Sequence, residues 1–277
     1  MRALRRASGL ATLGCFLFVW AFPVLWAAVT SLKSERDVLA YPPIRPFTPT
    51  LESYRAILSG SSSIWLNLES SVILTVFTTL IAIVFAVPAA YALARLRVPA
   101  RRGLGFGILA AQMLPPIGLV IPYFLIFTNL GLLNTYPGLI FVYVYFSLPF
   151  AIWLLISYFE DVPREMEEAA LIDRASRFKA FWYVVLPQVK GGVAVTVVFV
   201  FLNAWNEFLF AVTLGGRTVR PVTVAMYNFI SLEQTRWAEL SAASLVAMAP
   251  VILLGFAAQK HIVKGLTLGA VKGTSRQ

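Results

Sequence analysis

Long stretches without a charged side chain most constrain how this chain can fold. The longest contains 57 residues, Gly103 to Phe159, and the others lie at Ala7–Leu32, Ser70–Ala94, Gly191–Asn206, Phe208–Gly216 and Leu240–Gln259. A helix that spans a membrane needs about 20 apolar residues. With 59% hydrophobic and 13% charged residues, the chain is too apolar for a soluble protein of 277 residues. We therefore expect an integral membrane protein.

The uncharged runs predict an all-α, polytopic fold with six transmembrane helices in one domain, residues 1–277. The 57-residue run is long enough for two spans, and Asn129 to Gly138 supplies the turn between them. The run from Gly191 to Gly216 makes one span, which Glu207 interrupts. The first run is too long for a cleaved signal peptide and has no convincing small-residue cleavage site, so we expect a retained first span.

The distribution of Lys and Arg predicts the orientation. With the N-terminus inside, the inner segments hold 16 of these residues and the outer segments hold seven, and positive charge is retained on the cytoplasmic side. Both termini are therefore expected in the cytoplasm. The net charge of +10 is explained by topology, and scattered basic residues on short loops argue against a nucleic-acid partner.

Several kinds of chemistry are not expected from this sequence. It contains no G-x-x-x-x-G-K-[ST] phosphate loop, so ATP hydrolysis by this chain is not expected. His261 is the only histidine, which argues against a His-rich metal site and a Ser-His triad. Cys15 is the only cysteine and lies within the first span, so an intrachain disulfide is excluded. We expect neither a cofactor nor a metal in this chain, and no catalytic residue.

Residues 160–187 form a charged segment between two apolar runs. A solvated loop is the simplest interpretation of such a segment, but its residue order predicts more. Pro163 suits the first turn of a helix, where the missing N–H costs nothing. Glu165, Glu167 and Glu168 then complement the positive end of the helix dipole. We predict a short surface helix that begins near Pro163.

A second helix is predicted within the same segment. Ser176 can cap it, and it is expected to end at Pro187. Phe178, Phe181, Trp182 and Val185 recur at helical spacing between these two residues. Ala169 and Ala170, in the first helix, are small enough to let another backbone come close. The segment therefore predicts a helix-turn-helix at the membrane surface that an outside partner contacts.

This segment resembles the EAA loop of binding-protein-dependent ABC importer permeases, and we use the name EAA loop for residues 160–187. The matching elements are Glu168-Ala169-Ala170, then Asp173, then Leu186-Pro187. In that family the first short helix docks into a cleft of the ATP-binding subunit. The resemblance implies a docking role for Glu165, Glu167, Glu168, Ala169, Ala170, Asp173, Arg174 and Pro187. The family usually has Gly at the position of Arg174, where a glycine readily takes a left-handed turn conformation. Arginine adopts that conformation at a cost of about 1 kcal/mol or more, so we expect a turn that is either strained or differently shaped.

The resemblance extends over nearly the whole chain, to the smaller maltose-type permease subunit of carbohydrate importers. The matching strings are Thr30 to Lys33, Leu130 to Thr135, Leu148 to Phe150, Trp205 to Phe208 and Gly265 to Gly273. It implies the type I importer permease fold, a bacterial inner-membrane location, and alternating access driven by ATP. The implied partners are a second permease, two ATP-binding subunits that hold ATP and Mg, an extracytoplasmic solute-binding protein, membrane lipid and a sugar that stays unassigned.

Two groups of residues are candidates for the translocation pathway. The third expected span carries Pro115, Pro116 and Gly118, and such breakers are tolerated in a membrane only against protein or a water-filled cavity. A merely kinked structural helix is the alternative. Asn203, Asn206 and Glu207 fall on nearly one helical face of the fifth expected span. They form either a polar stripe along the pathway or interhelical hydrogen bonds.

Two external loops are expected, residues 33–66 and 214–239. The first contains Leu51 to Leu58, a candidate short amphipathic helix. The second is long, with the candidates Tyr227, Asn228, Phe229 and Trp237 for contact with the binding protein. A packed cap over the helix ends is the alternative for this loop.

Two other functional classes compete with the importer. A secondary, ion-coupled transporter would also have Pro-broken spans and intramembrane polar groups, but no internal repeat or buried ion pair is evident in the sequence. A membrane enzyme would need a catalytic constellation, and the sequence offers none.

Overall fold

The computed structural model describes residues 2–42, 46–60, 63–99, 101–230 and 234–271, and within these ranges the secondary structure is helical, without a strand. The helices are α1 Arg2–Ser31, α2 Glu35–Val38, α3 Glu52–Ser59, α4 Trp65–Arg95, α5 Arg101–Met113, α6 Pro116–Leu130, α7 Tyr136–Asp161, α8 Arg164–Ile172, α9 Arg177–Ala180, a π-helical turn Phe181–Val185, α10 Leu186–Gln188, α11 Lys190–Trp205, α12 Leu209–Leu214, α13 Val222–Ala225, a 3₁₀ turn Met226–Phe229 and α14 Trp237–Val271. The predicted all-α class is confirmed. Of the loop 214–239, which is expected to be external, Ser231 to Glu233 lie outside the described residues, as do residues 43–45 and 61–62 of the loop 33–66.

Four helices in the described part of the chain are individually long and apolar enough to cross a membrane. They are α1, α4, α7 and α14. The helical segments Arg177–Gln188 and Lys190–Trp205 make a fifth candidate when taken together, although they meet at 74°. The structure thus supports a polytopic membrane protein with four or five apolar candidate spans. The described residues do not contain the predicted six helices that are each long enough to span a membrane.

The third expected span is two helices instead of one. Helix α5 ends at Met113 and α6 begins at Pro116, and neither is as long as a full span. Proline lacks the N–H that helical hydrogen bonding requires, and the residue before a proline disfavours helical backbone angles. Two successive prolines, Pro115 and Pro116, therefore break the helix here. Pro122 is accommodated inside α6.

Residues Glu69–Val224 and Val251–Gln277 form one compact unit, in which α7 packs against α5 and α11. Helix α4 presents a column of small residues at four-residue spacing, Ala82, Ala86, Ala90 and Ala94, and all of them are buried. Small residues let helices approach closely in a membrane, where lipid removes much of the hydrophobic driving force for association. This column belongs to one of two buried clusters that the described residues of this unit form. We call the one that contains Tyr91, Leu155, Phe159, Phe181 and Val185 the first cluster, and the one that contains Leu74, Phe127, Val142, Phe210 and Leu214 the second cluster.

Residues Met1–Leu68 and Ala225–Pro250 form the other compact unit. Helix α3 lies where a short amphipathic helix was predicted, and the Tyr54 hydroxyl on it is 2.9 Å from the Ser31 hydroxyl at the end of α1. The Ala238 backbone N–H, in the first turn of α14, donates to the Glu35 carboxylate at 2.9 Å. These contacts order α2 and α3 against the long helices of their own unit.

Candidate functional site

Helix α8, the first helix of the EAA loop, begins near Pro163 as predicted, although Pro163 is its N-cap and precedes the first turn instead of lying in it. Glu165, Glu168 and Ala169 are exposed on it, and Ile172 at its end is 81% exposed. Glu167 differs from its acidic neighbours because it is only 8% exposed and accepts a hydrogen bond of 2.6 Å from the Tyr91 hydroxyl on α4. Glu167 therefore faces its own chain, unlike the docking surface expected for it.

The turn after α8 takes the strained form, one of the two alternatives that the sequence left open. Arg174 has φ of 62°, in the left-handed region. The Arg174 N–H donates to the Leu171 carbonyl at 3.1 Å, and the Ala175 N–H donates to the Ala170 carbonyl at 3.0 Å. This pair of bonds is the Schellman motif, which satisfies the last carbonyls of a helix. Asp173 precedes the left-handed residue and is exposed.

The second helix of the EAA loop begins at its predicted cap, where the Ser176 hydroxyl accepts from the Lys179 N–H at 3.3 Å. Its end differs from the prediction, because Pro187 lies within the helical turn Leu186–Gln188 and the chain bends only after it. The preceding residues, Phe181–Val185, are π-helical. A proline cannot bond to the carbonyl four residues earlier and clashes with it, so a wider turn accommodates Pro187.

A cavity of about 500 Å³ lies between the helices of the larger unit. Phenylalanine side chains from three helices line it, together with a few polar groups: Gln112, Pro116, Tyr143, Phe146, Ser147, Phe150, Phe199, Asn203, Ala204, Glu207 and Phe210. An apolar wall with a few convergent polar groups is the usual form of a small-molecule site. Three of the six pathway candidates, Pro116, Asn203 and Glu207, are brought together here.

The other pathway candidates lie elsewhere. Pro115 sits at the break before α6, and Gly118 lies in the first turn of that helix. Asn206 is exposed, and its side-chain amide donates to the Leu202 carbonyl at 2.8 Å. The expected stripe on one helical face fails because α11 ends at Trp205, before Asn206 and Glu207.

Glu207 bridges the break between α11 and α12. Its two carboxylate oxygens accept from the backbone N–H groups of Phe210 and Ala211 at 2.9 and 3.0 Å. The first N–H groups of a helix have no acceptor within the helix, and here the Glu207 carboxylate is their acceptor. Glu207 lines the cavity, but its charge is directed to the start of α12.

The candidate contacts for the binding protein divide into exposed and buried residues. Tyr227 and Trp237 are 59% and 48% exposed, and Asn228 is exposed as well. Phe229 is only 1% exposed, and the Arg236 guanidinium lies 5.2 Å from its ring centre. Contrary to the expectation of an exposed aromatic, Phe229 packs within its own unit and is not available to a partner.

Comparison with known proteins identifies the chain. The family of binding-protein-dependent transport system inner membrane components matches residues 82–268. The chain belongs to this family. It is the permease of an ABC importer, a multi-pass inner-membrane transport subunit and not a catalytic one.

Relatives of this permease match it over nearly its whole length. The trehalose transport system permease protein SugB of Mycobacterium tuberculosis is 38% identical, over 97% of this chain and 99% of that protein. The trehalose/maltose transport system permease protein MalG of Thermococcus litoralis is 35% identical, over 91% of each chain. In a crystal structure of a bacterial ABC transporter that imports the acidic polysaccharide alginate, one chain is 25% identical, with a TM-score of 0.76 over 93% of the permease and 96% of that chain.

Two residues that hold the EAA loop of the permease, Tyr91 and Arg95, were not among the predicted site residues. Tyr91 reaches Glu167 across 76 positions of the chain. Arg95, one helical turn further along α4, donates to the carbonyls of Phe159 and Val162 at the end of α7. Arg95 was counted only as one of the inner positive charges. No sequence pattern links these pairs, because they meet only once α4 and α7 have packed.

Proposed function

We propose that this permease moves a carbohydrate across the inner membrane, as the maltose-type subunit of an importer. Its assembly comprises a second permease, two ATP-binding subunits that hold ATP and Mg, and an external solute-binding protein. The single observation that carries this proposal is the near-complete match to trehalose and trehalose/maltose permeases at 38% and 35% identity. The family match also favours an ATP-driven importer over an ion-coupled transporter.

We infer that α8 is the helix that docks into the ATP-binding subunit. The exposed side chains of Glu165, Glu168 and Ala169 and the apolar Ile172 support this role, because such a face suits a partner that brings positive charge and a close backbone. Asp173, Arg174 and Pro187 then shape the loop around the docked helix, and Ala170 lies at the edge of the contact.

Charge reversal at Glu168 tests the docking. In proteoliposomes reconstituted with the full set of subunits, Glu168→Lys is expected to abolish uptake while the permease still inserts into the membrane, because it reverses a surface charge without altering an apolar span. Glu52→Lys, the same change on the exposed face of α3, is the matched control and is expected to transport normally. Wild-type ATPase stimulation by the binding protein in Glu168→Lys would refute the docking role.

The cavity supports the same function. Its phenylalanine rings offer faces on which the C–H surface of a sugar ring can lie, and the amides of Gln112 and Asn203 offer donors and acceptors for hydroxyl groups. We propose that Pro116, Asn203 and Glu207 line the pathway at this cavity. ATP-dependent uptake of labelled trehalose and maltose into proteoliposomes tests the substrate class, and we expect Asn203→Leu to lower uptake more than binding-protein-stimulated ATP hydrolysis. Uptake of an amino acid but of no sugar would refute it.

Both termini and the EAA loop are proposed to face the cytoplasm, and Tyr227 the outside. A Cys15→Ser chain provides a cysteine-free background. In that background, and with the permease produced without its partner subunits, Ile172→Cys is expected to react with a membrane-impermeant thiol reagent in inverted vesicles only, and Tyr227→Cys in right-side-out vesicles only. The opposite pattern would invert the proposed orientation. Tyr227, Asn228 and Trp237 stay the candidates for contact with the binding protein.

A further inference from the structure

The buried contact that helix α8 makes with the rest of the permease comes from a glutamate. Glu167 is the only buried residue among the nine of this helix, all of which the structure describes. Surface helices usually bury an apolar stripe instead. An apolar contact tolerates sliding, whereas a hydrogen bond weakens steeply when its angle or length changes. The attachment of α8 is therefore directional, and its acceptor is a carboxylate, which forms stronger hydrogen bonds than a neutral group.

The donor of this hydrogen bond is itself held in place from several sides. The Tyr91 ring lies 4.6 Å from the Phe181 ring and 5.8 Å from the Phe159 ring, measured between ring centres. Phe181 follows α9, and Phe159 lies near the end of α7. The ring is only 7% exposed. Tyr91 thus connects the end of α4 to both helical parts of the EAA loop and to α7.

Arg95 extends the same connection by one turn. Its guanidinium donates to the Phe159 carbonyl at 2.5 Å and also to the Val162 carbonyl. The last carbonyls of a helix lack partners within it, so Arg95 caps α7 from α4. The ends of α4 and α7 are consequently joined immediately before the chain enters α8 at Arg164.

We propose that Tyr91 and Glu167 are positioning residues that make α8 and the end of α4 move as one body. This inference rests on the proposed docking of α8, and it adds the route within this chain by which displacement of the docked helix reaches a transmembrane helix. Glu167 then acts inside the permease, while its neighbours Glu165 and Glu168 face the partner.

The first experiment measures the contact in the full-length permease alone. Spin labels are attached in the Cys15→Ser background at Arg97→Cys, two residues after α4, and at Ile172→Cys, both of which are exposed sites. We expect one narrow distance distribution, which broadens in Tyr91→Phe because that change removes only the hydroxyl. Tyr158→Phe is the matched control, since Tyr158 packs against the same first cluster from α7 and should leave the distribution narrow.

The second experiment measures coupling in the reconstituted complex with its binding protein, with trehalose and maltose as the transported probes. We expect sugar uptake per ATP hydrolysed to fall about tenfold in Tyr91→Phe and in Glu167→Leu, the factor that corresponds to one charge-assisted hydrogen bond. Glu167→Gln keeps an acceptor oxygen and should restore most of the ratio. A merely structural role would lower the yield of complex and would leave the ratio of uptake to hydrolysis unchanged in the complex that forms.

The outcomes separate this inference from the proposed function. An unchanged distance distribution in Tyr91→Phe would overturn the inference, and so would broadening with a normal ratio of uptake to hydrolysis. Failure of the wild-type complex to import sugar with ATP would instead refute the proposed function. The spin-label distances are measured in the permease alone, without a partner subunit or a sugar. They would therefore still decide whether the contact between Tyr91 and Glu167 holds α8 to α4.

Discussion

Helices α6 and α8 end in the same backbone turn but carry different residues at its left-handed position. After α6 the Gly131 N–H donates to the Thr128 carbonyl at 3.3 Å and the Leu132 N–H to the Phe127 carbonyl at 2.9 Å. After α8 the equivalent bonds are made by the N–H groups of Arg174 and Ala175. The φ angles are 66° and 62°. The hydrogen bonds of the Schellman motif therefore set this geometry, and glycine only lowers its cost.

The two turns differ in what surrounds them. At the end of α6, Leu132 packs against the second cluster, to which Phe127 belongs, and this is the apolar contact that commonly accompanies the motif. At the end of α8 the equivalent positions are Ala175 and Ala170, which are too small to make such a contact. The turn in the EAA loop thus combines a strained residue with little apolar support, whereas the turn after α6 combines a glycine with a packed leucine.

Asn134 is a second non-glycine residue in the left-handed region, with φ of 57°. Its side-chain oxygen accepts from the N–H groups of Thr218 and Val219 at 3.1 and 3.0 Å, and its amide donates to the Thr218 hydroxyl at 3.1 Å. Asparagine tolerates this conformation better than most residues. Three side-chain hydrogen bonds compensate for the strain at Asn134. Within the part of the chain that the structure describes, the Arg174 side chain has no equivalent set of hydrogen bonds.

The largest effect is expected at Asn134. Asn134→Leu removes three hydrogen bonds of about 1 kcal/mol each and places a bulky side chain in the left-handed region, so we expect it to lower the free energy of unfolding by about 3–4 kcal/mol. The measurement is a detergent-denaturant titration of the purified permease. Asn129→Leu, the same substitution on an exposed position of α6, is the control and should change the free energy of unfolding little. Equal effects of the two would show that the bonds to Thr218 and Val219 do not stabilise the turn.

Local signals in the sequence were enough to predict the two helices of the EAA loop and the turn between them. Pro163 and Ser176 act through their own backbone or through residues three positions away. The glycine usual in the family at position 174 marked the turn, but it left open whether Arg174 would adopt the left-handed conformation or the turn another shape. The inward direction of Glu167 did not follow, because several acidic residues of α8 look alike until the packing of α4 selects one. The burial of Phe229 could not be predicted from the sequence either, because it depends on contact with Arg236 and other residues of the folded unit.

The membrane-spanning part shows a similar division. Four long apolar runs became helices long enough to cross a membrane, since length and hydropathy are properties of a single segment. The third and fifth spans were predicted as single interrupted helices, but α5 and α6 separate at Pro115, and α11 ends before Glu207. Prolines and polar residues in the sequence show that a helix can be interrupted. The residue at which it ends depends on whether the backbone N–H groups that lose their helical partners find others, as those at the start of α12 find the Glu207 carboxylate.

An intermediate effect is expected when Gly131, in the turn after α6, is replaced by arginine, the residue at the equivalent position after α8. Gly131→Arg should lower the free energy of unfolding by about 1–2 kcal/mol, because arginine must then adopt the left-handed conformation. A Cβ atom at Gly131 would have no neighbour within 4 Å, so crowding does not contribute. Gly131→Asn should cost less in the same titration, because asparagine tolerates this conformation. An equal cost for both substitutions would show that φ is not the cause.

The smallest effect, with the opposite sign, is expected at the EAA loop. Arg174→Gly should raise the free energy of unfolding of the isolated permease by about 1 kcal/mol or less, because the relief of left-handed strain exceeds the added entropy of glycine in the unfolded chain. Arg177→Gly, at the first residue of α9, is the matched control and should destabilise by about 0.5–1 kcal/mol, since no strain is relieved in an ordinary helical position. If Arg174→Gly also destabilises, the Arg174 side chain makes a stabilising contact of its own. A third outcome is an isolated permease of unchanged or higher stability that no longer co-purifies with the ATP-binding subunits. The Arg174 side chain would then contact the partner, and the strained turn would be part of the docking surface.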